Sequence, residues 1–107
     1  MTIIKQGDAY SIPVGIKLNG KGIAAADIDE VEFYIGSSVR KMYPREVSYN
    51  EQEGFFYVPL DQDDTFSLPA DDIVTIDARV KFVGGAVKGV LKMGTMQVVD
   101  ATSEVEL

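Results

Sequence analysis

The chain contains no cysteine and no histidine. Without cysteine there can be no disulfide, no iron–sulfur ligation and no thiolate nucleophile, which argues against an extracellular disulfide-stapled scaffold and fits synthesis in a reducing cytosol. Without histidine, imidazole zinc sites and acid–base chemistry near neutral pH lose their usual residue, so neither an enzyme nor a bound cofactor or metal is expected. Tryptophan is absent as well, which weakens the case for a sugar-stacking platform. Positive charge is scarce: 10 lysines and arginines stand against 17 aspartates and glutamates, for a net charge of -7. Such a surface repels phosphates and disfavours nucleic acid as a partner. Long apolar runs are missing too. Stretches such as residues 22–26 are far too short to span a bilayer or to form a secretory core, so no membrane association is expected, and residues 1–8 read as a first strand rather than a leader.

What is present is alternation. Tyr10, Ile12, Val14, Ile16 and Leu18 alternate with Ser11, Pro13, Gly15 and Lys17, and Val74, Ile76, Ala78, Val80 and Phe82 alternate with Thr75, Asp77, Arg79 and Lys81. A period of two places one set of side chains on each face of a strand, burying one and wetting the other. A chain of 107 residues, 46% hydrophobic and 25% charged, has the length and composition of one globular domain. We expect that domain over residues 1–100, followed by a polar tail at 101–107.

Strands are expected at 2–5, at 9–18, at 30–35 with Val31, Phe33 and Ile35 inward, at 39–49, at 55–60 beside it, at 73–82 and at 86–99. Residues 19–22 form a turn tolerant of positive φ, and the alanines at 24–26 form only a short irregular crossing. Pro44 and Pro59 cannot donate to a ladder, so Pro44 marks an edge strand or a bulge and Pro59 an edge or a strand end. Residues 61–72 hold five aspartates and no basic residue. Thr65 to Leu68 form one helical turn there, capped by Asp63 or Asp64, that carries the chain across the sandwich. Gly84 and Gly85 make a tight hairpin, and Gly89 and Gly94 mark bulges or bends. Seven to eight strands at this spacing, with one short helical turn, predict an immunoglobulin-like antiparallel β-sandwich. Val14, Ile16, Phe33, Ile76, Val80 and Phe82 should share its core.

No residue cluster announces chemistry. Asp61, Asp63, Thr65 and Asp72 imitate part of a calcium loop, but Phe66 stands where such a loop needs glycine. Asp71 and Asp72 cannot act as a paired acid and base, because neighbouring side chains on an extended chain point apart. Ser37 and Ser38 have no base to activate them, and Gly84-Gly85 lacks the helix and lysine of a phosphate loop. The sharpest binding candidate is the basic, aromatic stretch of Arg40, Lys41, Tyr43, Arg45 and Tyr49, with Tyr57 on the following strand. Its plain alternative is an edge strand decorated with gatekeeping charge. Tyr34, Phe55 and Tyr57 are either a partner-binding face or half-buried strand aromatics.

The order of short signals resembles the N-terminal domain of phage baseplate upper proteins and related small tail-associated domains. Ile4-Lys5-Gln6-Gly7-Asp8-Ala9-Tyr10 looks like that family's opening, a strand followed by Gln-Gly-Asp and the alternating strand at 12–18. Asn19-Gly20-Lys21-Gly22-Ile23 follows, and Val31-Glu32-Phe33-Tyr34-Ile35 matches its V-x-F-x-I strand. Leu60-Asp61-Gln62-Asp63-Asp64-Thr65-Phe66-Ser67-Leu68 resembles its L-x-x-x-D-T-x-x-L crossover, and the last strand ends in Met96-Gln97-Val98-Val99. The family's Leu-Thr-Gly step is replaced here by Ala26-Asp27-Ile28-Asp29. The resemblance implies a non-enzymatic tail or baseplate adaptor in a phage or prophage. It would be synthesised in the bacterial cytoplasm, incorporated into the virion and partnered by other phage structural proteins, with homo-oligomerisation open. The alternative is a carbohydrate-binding or adhesive module, which would need Tyr34, Tyr43, Tyr49 and Tyr57 on one ring-stacking face.

Overall fold

Two β-sheets share one apolar interior in the computed structural model, which describes residues 2–18 and 21–101. The larger sheet has five strands in the order β1 (Thr2–Lys5), β10 (Val87–Val99), β9 (Asp72–Phe82), β5 (Ile28–Ile35) and β6 (Val39–Tyr43). The smaller has three, β2 (Tyr10–Gly15), β8 (Phe55–Leu60) and β7 (Ser48–Asn50). All pairs within the two sheets are antiparallel except β1 with β10, which run parallel from Thr2 beside Met96 to Lys5 beside Val99. In immunoglobulin lettering β2, β5, β6, β7, β8, β9 and β10 are strands B, C, C′, D, E, F and G, so the fold is an immunoglobulin-like sandwich. A two-residue hairpin, β3 (Lys17–Leu18) with β4 (Lys21–Gly22), lies on the B-to-C connection. The turn expected there has its tip outside the described residues, as does the tail beyond residue 101.

Alternation sets the core. Val31, Phe33 and Ile35 of β5 are fully buried, opposite Phe56, Val58 and Leu60 of β8, and Val74, Ile76, Ala78 and Val80 of β9 complete the layer. The Phe33 and Phe56 rings meet at 5.4 Å between centroids. Val14, Ile16, Phe33, Ile76 and Val80 occupy one cluster as their patterns require, while Phe82 only packs against its rim.

Several local expectations need correction. Residues 39–49 are not one strand, because the chain leaves the larger sheet at Tyr43, turns at Pro44 and resumes as β7 in the smaller sheet. Strand β8 therefore lies beside β7 and β2, not beside β6. Pro59 sits on β8 beyond the reach of β7, where one side of the strand needs no donor. The alanine crossing is the single short turn expected of it, a 3₁₀ turn at Ala25–Asp27. Strand β2 ends at Gly15, with β3 beginning only at Lys17, although Ile16 between them stays buried. Gly89 holds register opposite Arg79, and the irregularity falls between Val90 and Gly94 instead.

The crossover from β8 to β9 carries a short helix, α1 (Gln62–Phe66), whose cap is Asp61 rather than Asp63 or Asp64. Asp61 Oδ1 accepts from the Asp64 amide at 2.8 Å and Asp64 Oδ2 accepts from the Asp61 amide at 2.9 Å, a reciprocal capping box. Thr65, fully buried, joins this helix to the β1–β2 turn. The Gly7 amide donates to Thr65 Oγ1 at 2.9 Å, and the Thr65 hydroxyl donates to the Asp8 carbonyl at 2.9 Å. Beside them Gln6 Nε2 donates to the Leu68 carbonyl at 2.8 Å. Gly7 has φ +85°, and the Phe66 ring lies where a side chain at residue 7 would sit.

Candidate docking surfaces

The six candidate residues from the basic stretch and its neighbour do not form one patch. Alternation on β6 sends Arg40 to the outer face of the larger sheet and turns Lys41 and Tyr43 toward the interior. Tyr43 and Tyr49 are core-packing residues: Tyr49 stacks on Phe56 at 4.1 Å, and Tyr43 meets Phe56 edge-on at 5.3 Å. The Tyr49 hydroxyl donates to the Ile23 carbonyl at 2.6 Å, and burial holds the phenol above its ordinary pKa. Tyr57 lies on the outer face of the smaller sheet, where its hydroxyl donates to Glu53 at 2.8 Å, the main cause of its raised pKa. Arg45 is exposed in the turn between β6 and β7. Tyr34 faces outward from the larger sheet, so the four tyrosines of a ring-stacking platform are divided among two outer faces and the interior.

Lys41 closes an edge. Its Nζ reaches Asp64 of α1 at 2.9 Å and Glu46 at 3.9 Å, with only 14% of the side chain exposed. Partial burial would lower the ammonium's pKa, but the hydrogen bond and charge of Asp64 outweigh it and raise the value. Burial likewise pushes Asp64 upward, and the bonds from Lys41 and Asp61 more than reverse this. Asp61 and Asp64 thus spend their oxygens on the helix cap and on Lys41, which leaves the calcium-like spacing with a structural use. Among the described residues no three acidic groups converge.

The edge beside Lys41 is also sealed at the backbone. The Met42 amide donates to Glu46 Oε1 at 3.1 Å, and its carbonyl accepts from the amides of Glu46 and Val47 at 2.8 and 3.2 Å. The turn after β6 thereby covers backbone groups that an edge strand would otherwise present to a neighbour.

On the outer face of the larger sheet, Glu32 stands between two arginines. Arg40 Nε donates to Glu32 Oε2 at 2.7 Å, and Arg79 donates to Glu32 Oε1 through Nη2 at 2.7 Å and Nε at 3.0 Å. The Arg40 bond, ahead of those from Arg79, holds the Glu32 carboxyl below its usual range. The cluster borders a shallow groove of about 370 Å³ lined in part by Tyr34, Asp77 and Gly89. Sequence reading turns Glu32 and Arg79 outward by alternation, but only strand pairing makes them neighbours. Apolar side chains also stand exposed on this sheet: Ile3 and Ile73 on strands flanking β10, and Val83 and Val87 at the β9–β10 hairpin. No protein-family model, curated protein or solved structure matches the chain.

Proposed function

We propose that this chain is a non-enzymatic structural module of a phage or prophage particle, a tail or baseplate component that docks other virion subunits. The observation that supports the reading is the meeting of two sequence pieces on which the resemblance rests. Gln6-Gly7-Asp8 and the crossover Leu60 to Leu68 lie far apart in sequence, yet they are joined through Gly7, Thr65 and Asp8 and through Gln6 and Leu68. Residues so used hold two crossing segments in place, and the charged side chains of the larger sheet pair across strands. Such a molecule offers surfaces and edges, and its work is to be held and to hold. Localisation to the virion follows from this reading, after synthesis in the host cytoplasm.

The test is quantitative mass spectrometry of purified particles from an induced culture. The reading requires this chain at a fixed stoichiometry to tail proteins, and it fails if the chain is abundant in the lysate and missing from intact particles. Charge reversal at Arg45, exposed and outside the Glu32 cluster, should lower incorporation while leaving the fold intact. The carbohydrate reading has no comparable support, since Tyr43 and Tyr49 are occupied by Phe56.

A further inference from the structure

Strand β10 is 13 residues long, but its two sides are not equally used. One side pairs with β9 along most of its length, whereas β1 covers the other only from Met96 to Val99. From Val87 to Thr95 no strand among the described residues pairs on that side. A strand margin of this kind presents backbone donors and acceptors to another extended chain.

Charge says which kind of chain. β10 holds Lys88 and Lys92 and no acidic residue, whereas Arg79 and Lys81 on neighbouring β9 already pair with Glu32 and Asp29. The irregularity between Val90 and Gly94, with Lys88 before it and Lys92 within it, opposes pairing with a second, equally basic β10. The same lysines favour an acidic strand, which is selection by both repulsion and attraction. Residues 102–107, Thr-Ser-Glu-Val-Glu-Leu, are such a segment: Glu104 and Glu106 share one side of a two-residue alternation, and Val105 and Leu107 share the other. On that side β1 already holds Met96 to Val99, the stretch of β10 next to the open margin, so the margin is offered to another copy.

We propose that residues 102–107 of one copy add as a strand to the open margin of β10, Val87 to Thr95, on the next copy. The contact is head-to-tail, so it closes into a ring or continues as a filament according to the rotation between copies. It rests on the open margin and the charge pattern, independently of the phage reading.

The experiment compares the full chain, a chain ending at Ala101 and the variant K88E/K92E by sedimentation velocity over a range of concentration, at low salt and at about 0.5 M salt, where charge attraction is screened. The full chain should form concentration-dependent larger species that diminish in salt, and both altered chains should remain monomeric with unchanged circular dichroism. A fluorescent peptide of residues 100–107 should bind the chain ending at Ala101, and its affinity should fall at least about tenfold on K88E/K92E or when the peptide carries E104K/E106K. A full chain that stays monomeric, a truncated chain that associates equally well, or peptide binding indifferent to charge reversal would each overturn the proposal.

Discussion

The amide of Gly7 and the hydroxyl of Thr65 are bonded at 2.9 Å although 58 positions separate them. The same hydroxyl is bound to the Asp8 carbonyl, so one buried side-chain oxygen anchors the turn that sends the chain from the larger sheet to the smaller. Removing it while keeping the shape should orphan both groups. Thr65→Val is expected to cost about 1–3 kcal/mol for each group left unpaired, and Thr65→Ser to retain most of the stability. Urea unfolding of the two variants measures the difference, and equal midpoints would show that the hydroxyl does not anchor this turn.

The core offers a graded comparison. Phe33 is fully buried against Phe56, while Phe82 is only partly covered. Phe33→Ala should therefore cost about 3–5 kcal/mol, a large share of a small domain's stability, and Phe82→Ala clearly less. Thermal melts that rank the two in the opposite order would contradict the packing described.

Gly7 should resist substitution where Gly84 does not. An added Cβ at residue 7 meets Phe66 Cζ at 2.8 Å in a backbone at φ +85°, whereas at residue 84 it meets nothing within 4 Å. The ring can yield, but the positive φ remains and costs about 1–2 kcal/mol. Gly7→Ala combined with Phe66→Leu should accordingly recover only part of the lost stability in a denaturant titration.

Acid should loosen the outer face. Glu32 has its pKa lowered in the folded chain, chiefly by Arg40, so its contribution is present above the ordinary carboxylate pKa of about 4.3 and disappears as pH falls through the lower folded value. Asp64 acts in the same direction below about pH 4. Lys41, raised, contributes below its ordinary value of about 10.4 and loses that contribution as pH climbs through the folded value. Glu32→Gln should be less stable than wild type near pH 6 and lose less on acidification to pH 3. Parallel urea midpoints for both proteins across that range would remove Glu32 from the acid response.

Alternation made the buried faces readable before any coordinate: Val31, Phe33 and Ile35, or Val74, Ile76 and Val80, follow from spacing alone because a strand has only two sides. Spacing carries no information about which strand lies beside which. Glu32 and Arg79 are 47 positions apart, and nothing local announces that they meet. Tyr43 and Tyr49 read as surface aromatics because Arg40, Lys41 and Arg45 surround them in sequence. The change of sheet at Pro44 turns both rings onto Phe56 instead. The crossover was legible as a capped turn, but Asp61, Asp63 and Asp64 are equivalent on paper, and only the reciprocal bond between Asp61 and Asp64 identifies the cap.

Glu46 bears on solubility more than on folding. Its carboxylate and amide occupy both the donor and the acceptor of Met42, so the β6 border of the larger sheet offers a colliding molecule little with which to nucleate cross-β stacking. A single turn residue thus serves as a molecular stopper. Its loss would be felt first in crowded or overexpressed preparations, as slow precipitation from a population that is still natively folded.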